Sequence, residues 1–166
     1  MYLCIHSGVA MAKGHEFATA IVWTGDRGEG TRHYRAYDRS WHIASPGKPL
    51  VEGSNDPALG GDPARHNPEE LLLASLAACH MLWYLHLASE AGIVVHGYED
   101  TPLGIGESGA RGEGRFLRAV LRPTIRLARG ADLARADALH HEIGQYCFIA
   151  RSVSFPVNYA ARYVEV

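Results

Sequence analysis

The stretch from Asn67 to Gly92, NPEELLLASLAACHMLWYLHLASEAG, limits the fold more than any other part of this chain. Asn67 is a good N-cap, Pro68 suits the first helical position, and Glu69 and Glu70 suit the positive end of a helix dipole. Gly92 is a natural terminator. A helix over residues 68–91 would be about 36 Å long. Its middle is apolar nearly all round: Leu71, Leu72, Leu73, Ala74, Leu76, Ala77, Ala78, Met81 and Leu82. A helix without a polar face is buried on most sides. In a chain of 166 residues a sheet can cover one side, and the other calls for a partner subunit. Ser75, His80 and His86 interrupt the apolar run, so it reads as a buried core helix and not as a membrane span.

Strands are expected around this helix. Residues 16–23 (EFATAIVW) are rich in β-branched and aromatic side chains, and a Gly-rich turn follows at 25–30 (GDRGEG). Residues 31–43 mix aromatic and charged side chains without strict alternation and read as a half-exposed strand. Residues 45–66 are rich in Gly and Pro and read as a loop, long enough to be functional or disordered. Residues 93–99 resemble a short strand. From Leu117 to Leu127 apolar side chains alternate with Arg118, Val120, Arg122, Thr124 and Arg126, the pattern of one strand with a largely basic face. Pro123 places that strand at an edge or a bulge. Residues 132–146 read as a second helix and 156–166 as a last strand. No internal repeat, low-complexity tract or linker is evident.

Composition narrows the function classes. A net charge of −2 provides no global field for nucleic acid or an anionic membrane. Three cysteines, Cys4, Cys79 and Cys147, are too few and too scattered for a secreted disulfide framework, and no CxxC pair marks a structural zinc site. The N-terminal stretch has no basic region ahead of an apolar one, so it reads as a poor signal peptide, and a cytoplasmic protein is expected. Residues 1–15 read as an N-terminal extension, expected to be flexible, with no function assigned to it or to Cys4.

Cys79 in mid-helix has two readings: a small buried hydrophobe, or a nucleophile whose thiolate needs a cation other than the distant helix N-terminus. Arg27 on the Gly-rich turn is a candidate cation, or a solvated turn arginine. Cys147 near the end of the second helix is either packing or the partner of a dithiol that cycles through a disulfide. Glu69 is sufficiently explained as a first-turn acid. It precedes Cys79 by about 15 Å along the helix axis and cannot touch that thiol in its own helix. His80 projects about 100° away from Cys79. With His86, His140 and His141 it reads as a core or solvated histidine, and no ligand spacing supports a metal site. Ser75 lacks a hydrolase elbow, and the glycine turns match no nucleotide-binding loop.

Residues 67–80, NPEELLLASLAACH, resemble the central-helix motif of the OsmC/Ohr family. CFIARSVSFPV at 147–157 resembles the family's second-cysteine region, and WTGDRGEGT at 23–31 is similar to its arginine loop. The resemblance runs from about residue 16 to the end of the chain. It implies a single α+β domain over 16–166, with two long helices against antiparallel sheets in an intertwined homodimer. It further implies a thiol-dependent peroxidase acting on organic hydroperoxides, with no cofactor. In that reading Cys79 is the peroxidatic cysteine, Cys147 the resolving one, Arg27 the family arginine and Glu69 its carboxylate partner. The implied reductant is a dithiol such as a dihydrolipoyl group on a partner protein; neither nucleic acid nor membrane is an expected partner. His80 where the family often has Phe, and Phe148 where it often has Pro, mark an OsmC-like branch. An OsmC-like small-molecule binder or thiol sensor, and a Cys/His metal protein, remain as other readings.

Overall fold

The computed structural model describes residues 14–110 and 112–166, so Cys4 and nearly all of the N-terminal extension lie outside it. The chain divides into two compact units, one ending at Arg65 and one running from His66 to Val166.

The first unit is an antiparallel sheet of three short strands, β1 (Ile21–Trp23), β2 (Trp41–Ile43) and β3 (Val51–Gly53), in that order. Only the end of the apolar stretch at 16–23 pairs. Residues 31–40 depart from the expected strand: they form turns, touching the sheet side through one bridge between Asp26 and Tyr37. The physical reason lies in their side chains. The Arg39 guanidinium sits 3.9 Å over the Tyr34 ring, and it also donates to the carbonyls of Tyr34 and Tyr37. Those carbonyls are thereby diverted from a strand partner. The 45–66 segment is less irregular than its composition implies. It holds β3 and a 3-10 turn at Pro57–Leu59, capped by Asp56. Gly25 is required where it stands, because a Cβ there would collide with the carbonyl of Asp38.

The second unit is built on α1 (Pro68–Glu90). Asn67 accepts from the Glu70 backbone N–H at 2.8 Å and Glu70 reaches back to that of Asn67, a complete capping box. Gly92, at φ 71°, takes the left-handed turn that leads out of the helix. Two three-stranded sheets pack with it. One has the order β4 (Val95–Asp100), β7 (Pro123–Leu127), β9 (Arg162–Glu165); the other has β5 (Leu103–Ser108), β6 (Gly114–Leu121), β8 (Val157–Tyr159). β4 and β5 pair antiparallel with β7 and β6, whereas β8 and β9 run parallel to β6 and β7. The strand expected over 117–127 is therefore two strands. They break at Arg122, whose N–H bonds the Asp100 carboxylate instead of a ladder partner. The last strand likewise splits at residues 160–161, so both segments pass from one sheet to the other side by side. Pro123 is neither at an edge nor in a bulge. It is buried as the first residue of β7, the central strand, where a missing N–H is tolerated. β5 went unforeseen because Gly104 and Gly106 dilute its strand pattern.

α2 (Leu133–Ile143) starts at an Asp132 cap and buries Ala136, Leu139, His140 and Ile143. The larger core cluster joins these to Tyr84, Leu87, Ala88, Ile93, Ile125, Leu127 and Cys147, and a smaller one holds Leu76, Ala119 and Leu121. The fold is α+β. Residues 117–127 keep their alternation through the break, with Ala119, Leu121, Pro123, Ile125 and Leu127 all inside. α1 is the one described helix long and apolar enough to cross a membrane. Its capping box, acidic first turn and packed stripe of Leu76, His80, Tyr84 and Ala88 are those of a core helix.

Candidate functional site

Two elements bring the site together within the second unit. α1 carries Cys79, half-buried against the larger cluster, and the turn that ends α2 carries Cys147, 1% exposed. The turn is held by the Cys147 N–H bonding the Ile143 carbonyl at 2.9 Å and by the Arg151 N–H bonding that of Cys147 at 3.1 Å. These bonds aim the Cys147 side chain inward. Its thiol donates to Cys79 Sγ across 2.6 Å, joining residues 68 positions apart. Both are free thiols here. The Ala150 N–H lies 3.4 Å from Cys147 Sγ.

Burial pushes the Cys147 thiol up to about 11, and the contact with Cys79 adds to this; the Ala150 and Ile149 N–H groups oppose it only in part. Cys147 therefore keeps its proton at neutral pH, and Cys79 Sγ is the acceptor in that contact.

Arg27 lies in the first unit, on the Gly-rich turn. Its guanidinium donates to the backbone carbonyls of Ala36 (3.2 Å) and Arg35 and stands 3.8 Å from the Asp38 carboxylate. The turn is shaped by Asp26, which accepts from the N–H groups of Gly28 and Gly30; those bonds hold its carboxyl below the usual range. Glu69 stands exposed on the first turn of α1 and makes no ion pair among the described residues of its own unit; Glu70, not Glu69, closes the capping box.

Beside the cysteines lies a pair that the sequence left unassigned. His80 Nε2 and His140 Nδ1 are 2.7 Å apart in the core, their rings stacked with centroids 5.0 Å apart. Tyr84 and Tyr159 stack on His140 at 4.6 and 4.4 Å. Burial lowers both histidines to about 4, so they are neutral and one donates to the other. The signal was present: His80 falls four residues after Leu76 and four before Tyr84, on the buried stripe. Nothing in the sequence named its partner. His86 is instead exposed, 3.5 Å from Glu90. Among the described residues no group of three or more His, Cys, Asp or Glu is placed to hold a metal ion.

The OsmC-like protein family model matches residues 60–160, which is more than half of the chain and includes both cysteines, α1 and α2. The chain belongs to the OsmC-like protein family. An OsmC-like protein of unknown function from Vibrio cholerae superposes with a TM-score of 0.79 at 26% identity, over 89% of this chain and 99% of that one. An organic hydroperoxide resistance protein OsmC from Legionella pneumophila shares the fold at TM-score 0.63 and 18% identity, covering 90% and 98% of the two chains. One from Elizabethkingia anophelis does so at 0.62 and 18%, covering 93% and 100%. No curated protein matches significantly. In this OsmC-like protein Cys79 and His80 both lie on α1, with His80 buried in the core.

Proposed function

We propose that this OsmC-like protein is a thiol-dependent peroxidase that reduces organic hydroperoxides, and one observation carries the reading: the 2.6 Å approach of Cys147 Sγ to Cys79 Sγ. The Cys79 thiolate attacks the outer peroxide oxygen. The O–O bond breaks, the alkoxide takes a proton and leaves as an alcohol, and Cys79 becomes a sulfenic acid. Cys147 sulfur then attacks Cys79 sulfur. Its proton leaves with the hydroxyl as water, and a disulfide remains, with two electrons passed to the peroxide. An external dithiol restores both thiols by exchange. Cys147 is already in place for the second step, so the sulfenic acid is short-lived.

Arg27 and Glu69 enter by family resemblance, Arg27 as the cation that favours the thiolate and Glu69 as the carboxylate that orients it. A homodimer belongs to the same reading. In the most apolar 18-residue stretch of α1 only 28% of the residues are buried, and Leu82 is 63% exposed. A second copy of this chain is the partner that an intertwined family fold would supply. The apolar side chains on α1, with Trp83 packed like Cys79 against the larger core cluster, favour an organic over an inorganic peroxide.

Mass spectrometry after one equivalent of cumene hydroperoxide tests the chemistry. The expected products are an intrachain Cys79–Cys147 link in the wild type and a dimedone-trapped sulfenic acid on Cys79 in Cys147→Ser. Retention of all thiols in the wild type would favour a binder or a thiol sensor without turnover, a reading that the cleft beside Cys147 also accommodates.

A further inference from the structure

Among the described residues, two side-chain hydrogen bonds join α1 to α2 and the turn that ends it, and on α1 they start from adjacent positions. One links Cys79 to Cys147; the other links His80 to His140, Nε2 to Nδ1 at 2.7 Å. Successive helical residues project about 100° apart, so the two bonds grip α1 at two angles about its axis. On the other element they are spread along the chain. His140 precedes Cys147 by seven residues, which is two helical turns or about 10 Å. The segment between them stays hydrogen-bonded, the Tyr146 and Cys147 N–H groups both reaching the Ile143 carbonyl. A shift at His140 is therefore passed on to Cys147. The rest of this contact is apolar or stacked: Tyr84 lies on the His140 ring, Leu139 and Ile143 pack in the same cluster, and Trp83 stacks on Tyr146. Apolar contacts are non-directional and tolerate a small rotation of one helix on the other. A short hydrogen bond does not, because it weakens steeply with angle and distance. Turning α1 by about 20° moves each Cα by roughly 0.8 Å, and side-chain tips further. Displacements of that size decide whether two sulfurs can bond.

We infer that His80 and His140 are positioning residues for the cysteine pair: their buried hydrogen bond fixes α1 against α2 at the rotation that keeps Cys79 Sγ within reach of Cys147 Sγ. The inference deepens the peroxidase reading and rests on it for its setting, because disulfide closure is the step that the position serves. In that step Cys147 Sγ attacks Cys79 Sγ of the sulfenic acid, the S–O bond breaks, and the hydroxyl leaves as water with the Cys147 proton. The histidines touch no reacting atom. The His80–His140 bond and the sulfur contact are separate, and burial keeps both rings neutral. A buried polar contact of this kind selects one arrangement of a core that apolar packing alone leaves free to slide. Hydrocarbon in the same volume should hold the two elements together but not at one rotation. The net worth of a single hydrogen bond is modest, so the expected effect on closure is about tenfold.

The equilibrium between dithiol and disulfide reads the position directly and needs no peroxide. The full-length protein is equilibrated in glutathione buffers of graded ratio and quenched with acid, and the intrachain disulfide is measured by mass spectrometry. His80→Leu/His140→Phe removes the bond and leaves no ring nitrogen of the pair buried without a partner. It is expected to lower the effective concentration of one thiol at the other about tenfold, which raises the disulfide potential by about 30 mV. His140→Asn keeps an amide near the place of Nδ1 and omits Nε2, which has no hydrogen-bond partner among the described residues. It is expected to stay within threefold of the wild type, whereas His140→Leu loses about tenfold. A mere packing role ranks these two the other way, since Leu fills an apolar core better than Asn. Asn67→Ala, which weakens the capped end of α1, should leave the equilibrium unchanged, because a loss of stability common to the oxidised and reduced forms cancels. A folded double variant with the wild-type equilibrium, His140→Leu no worse than His140→Asn, or an equal shift in Asn67→Ala overturns the inference. The double variant decides alone if the single ones do not fold, and the two single ones decide if the double does not. Cumene hydroperoxide leaving the wild-type thiols intact, while the glutathione equilibrium shifts as expected, would end the peroxidase reading and leave this one standing. A disulfide formed by the peroxide, with no shift in the variants, would do the reverse.

Discussion

His80 and His140, sixty positions apart in sequence, share one buried hydrogen bond of 2.7 Å in the OsmC-like protein. Both are lowered to about 4, His80 by burial and His140 by burial, then His80 and His141, against the opposing pull of Asp137. A histidine held below its unfolded value of about 6.5 binds fewer protons folded than unfolded. Its stabilising contribution is complete above pH 6.5 and is lost as the pH falls towards 4. Urea unfolding of the wild type is expected to show a loss on the order of 2 to 4 kcal/mol between pH 7 and pH 5 from this pair. The double substitution His80→Leu/His140→Phe should flatten that slope. A wild-type stability that does not change over this range would count against the neutral pair.

His80→Leu alone should be worse than the double change at pH 7. It leaves His140 with both ring nitrogens buried and unpartnered, a cost of about 1–3 kcal/mol for the newly orphaned atom. A double-mutant cycle by denaturant titration measures this coupling; additive single effects would show the contact to be energetically idle.

Cys147 should resist alkylation. Its raised pKa leaves little thiolate at pH 8, so its iodoacetamide rate, read peptide by peptide, is expected to fall well below that of an ordinary solvent-exposed cysteine and to keep rising up to pH 10. A rate that levels off near pH 8 would contradict the assignment of Cys147 as the proton donor.

The capping box predicts a local stability effect without a redox one. Asn67→Ala should cost about 1 kcal/mol, or roughly 2–4 °C in Tm, whereas Asn67→Asp should be nearly neutral. Thermal melts of both variants suffice. Equal losses in the two would mean that the side-chain acceptor is not what matters.

Leu82→Glu tests the covered face. On a free surface such a change is worth within about 0.5 kcal/mol and alters no mass. If a second copy packs on α1, sedimentation equilibrium should show a wild-type dimer shifted towards monomer in the variant. A wild type that sediments as a monomer would remove the homodimer from the proposed reading.

How much was legible in advance follows the range of the interactions. The limits of α1 were readable because Asn67, Pro68, Glu70 and Gly92 act on backbone groups within a turn of themselves. The alternation from 117 to 127 revealed which side chains would be inside. It could not reveal the break at Arg122, because that depends on the Asp100 carboxylate, which lies 22 positions earlier. Residues 31–40 misled for a related reason: Arg39 and Arg27 satisfy carbonyls that a strand would have used, and side-chain capture of this kind leaves no periodic trace.

By itself, then, the sequence settled which residues carry sulfur, that Cys79 rides on a capped apolar helix, and that the motifs around Cys79 and Cys147 resemble those of the OsmC-like family. Only the folded chain decided that Cys79 and Cys147 meet, that Cys147 holds the proton, and that His80 finds His140. The physical reason is that identity and local propensity are properties of neighbouring residues. Proximity across 60 or more positions, and the desolvation that shifts a proton, exist only once the core has closed around them.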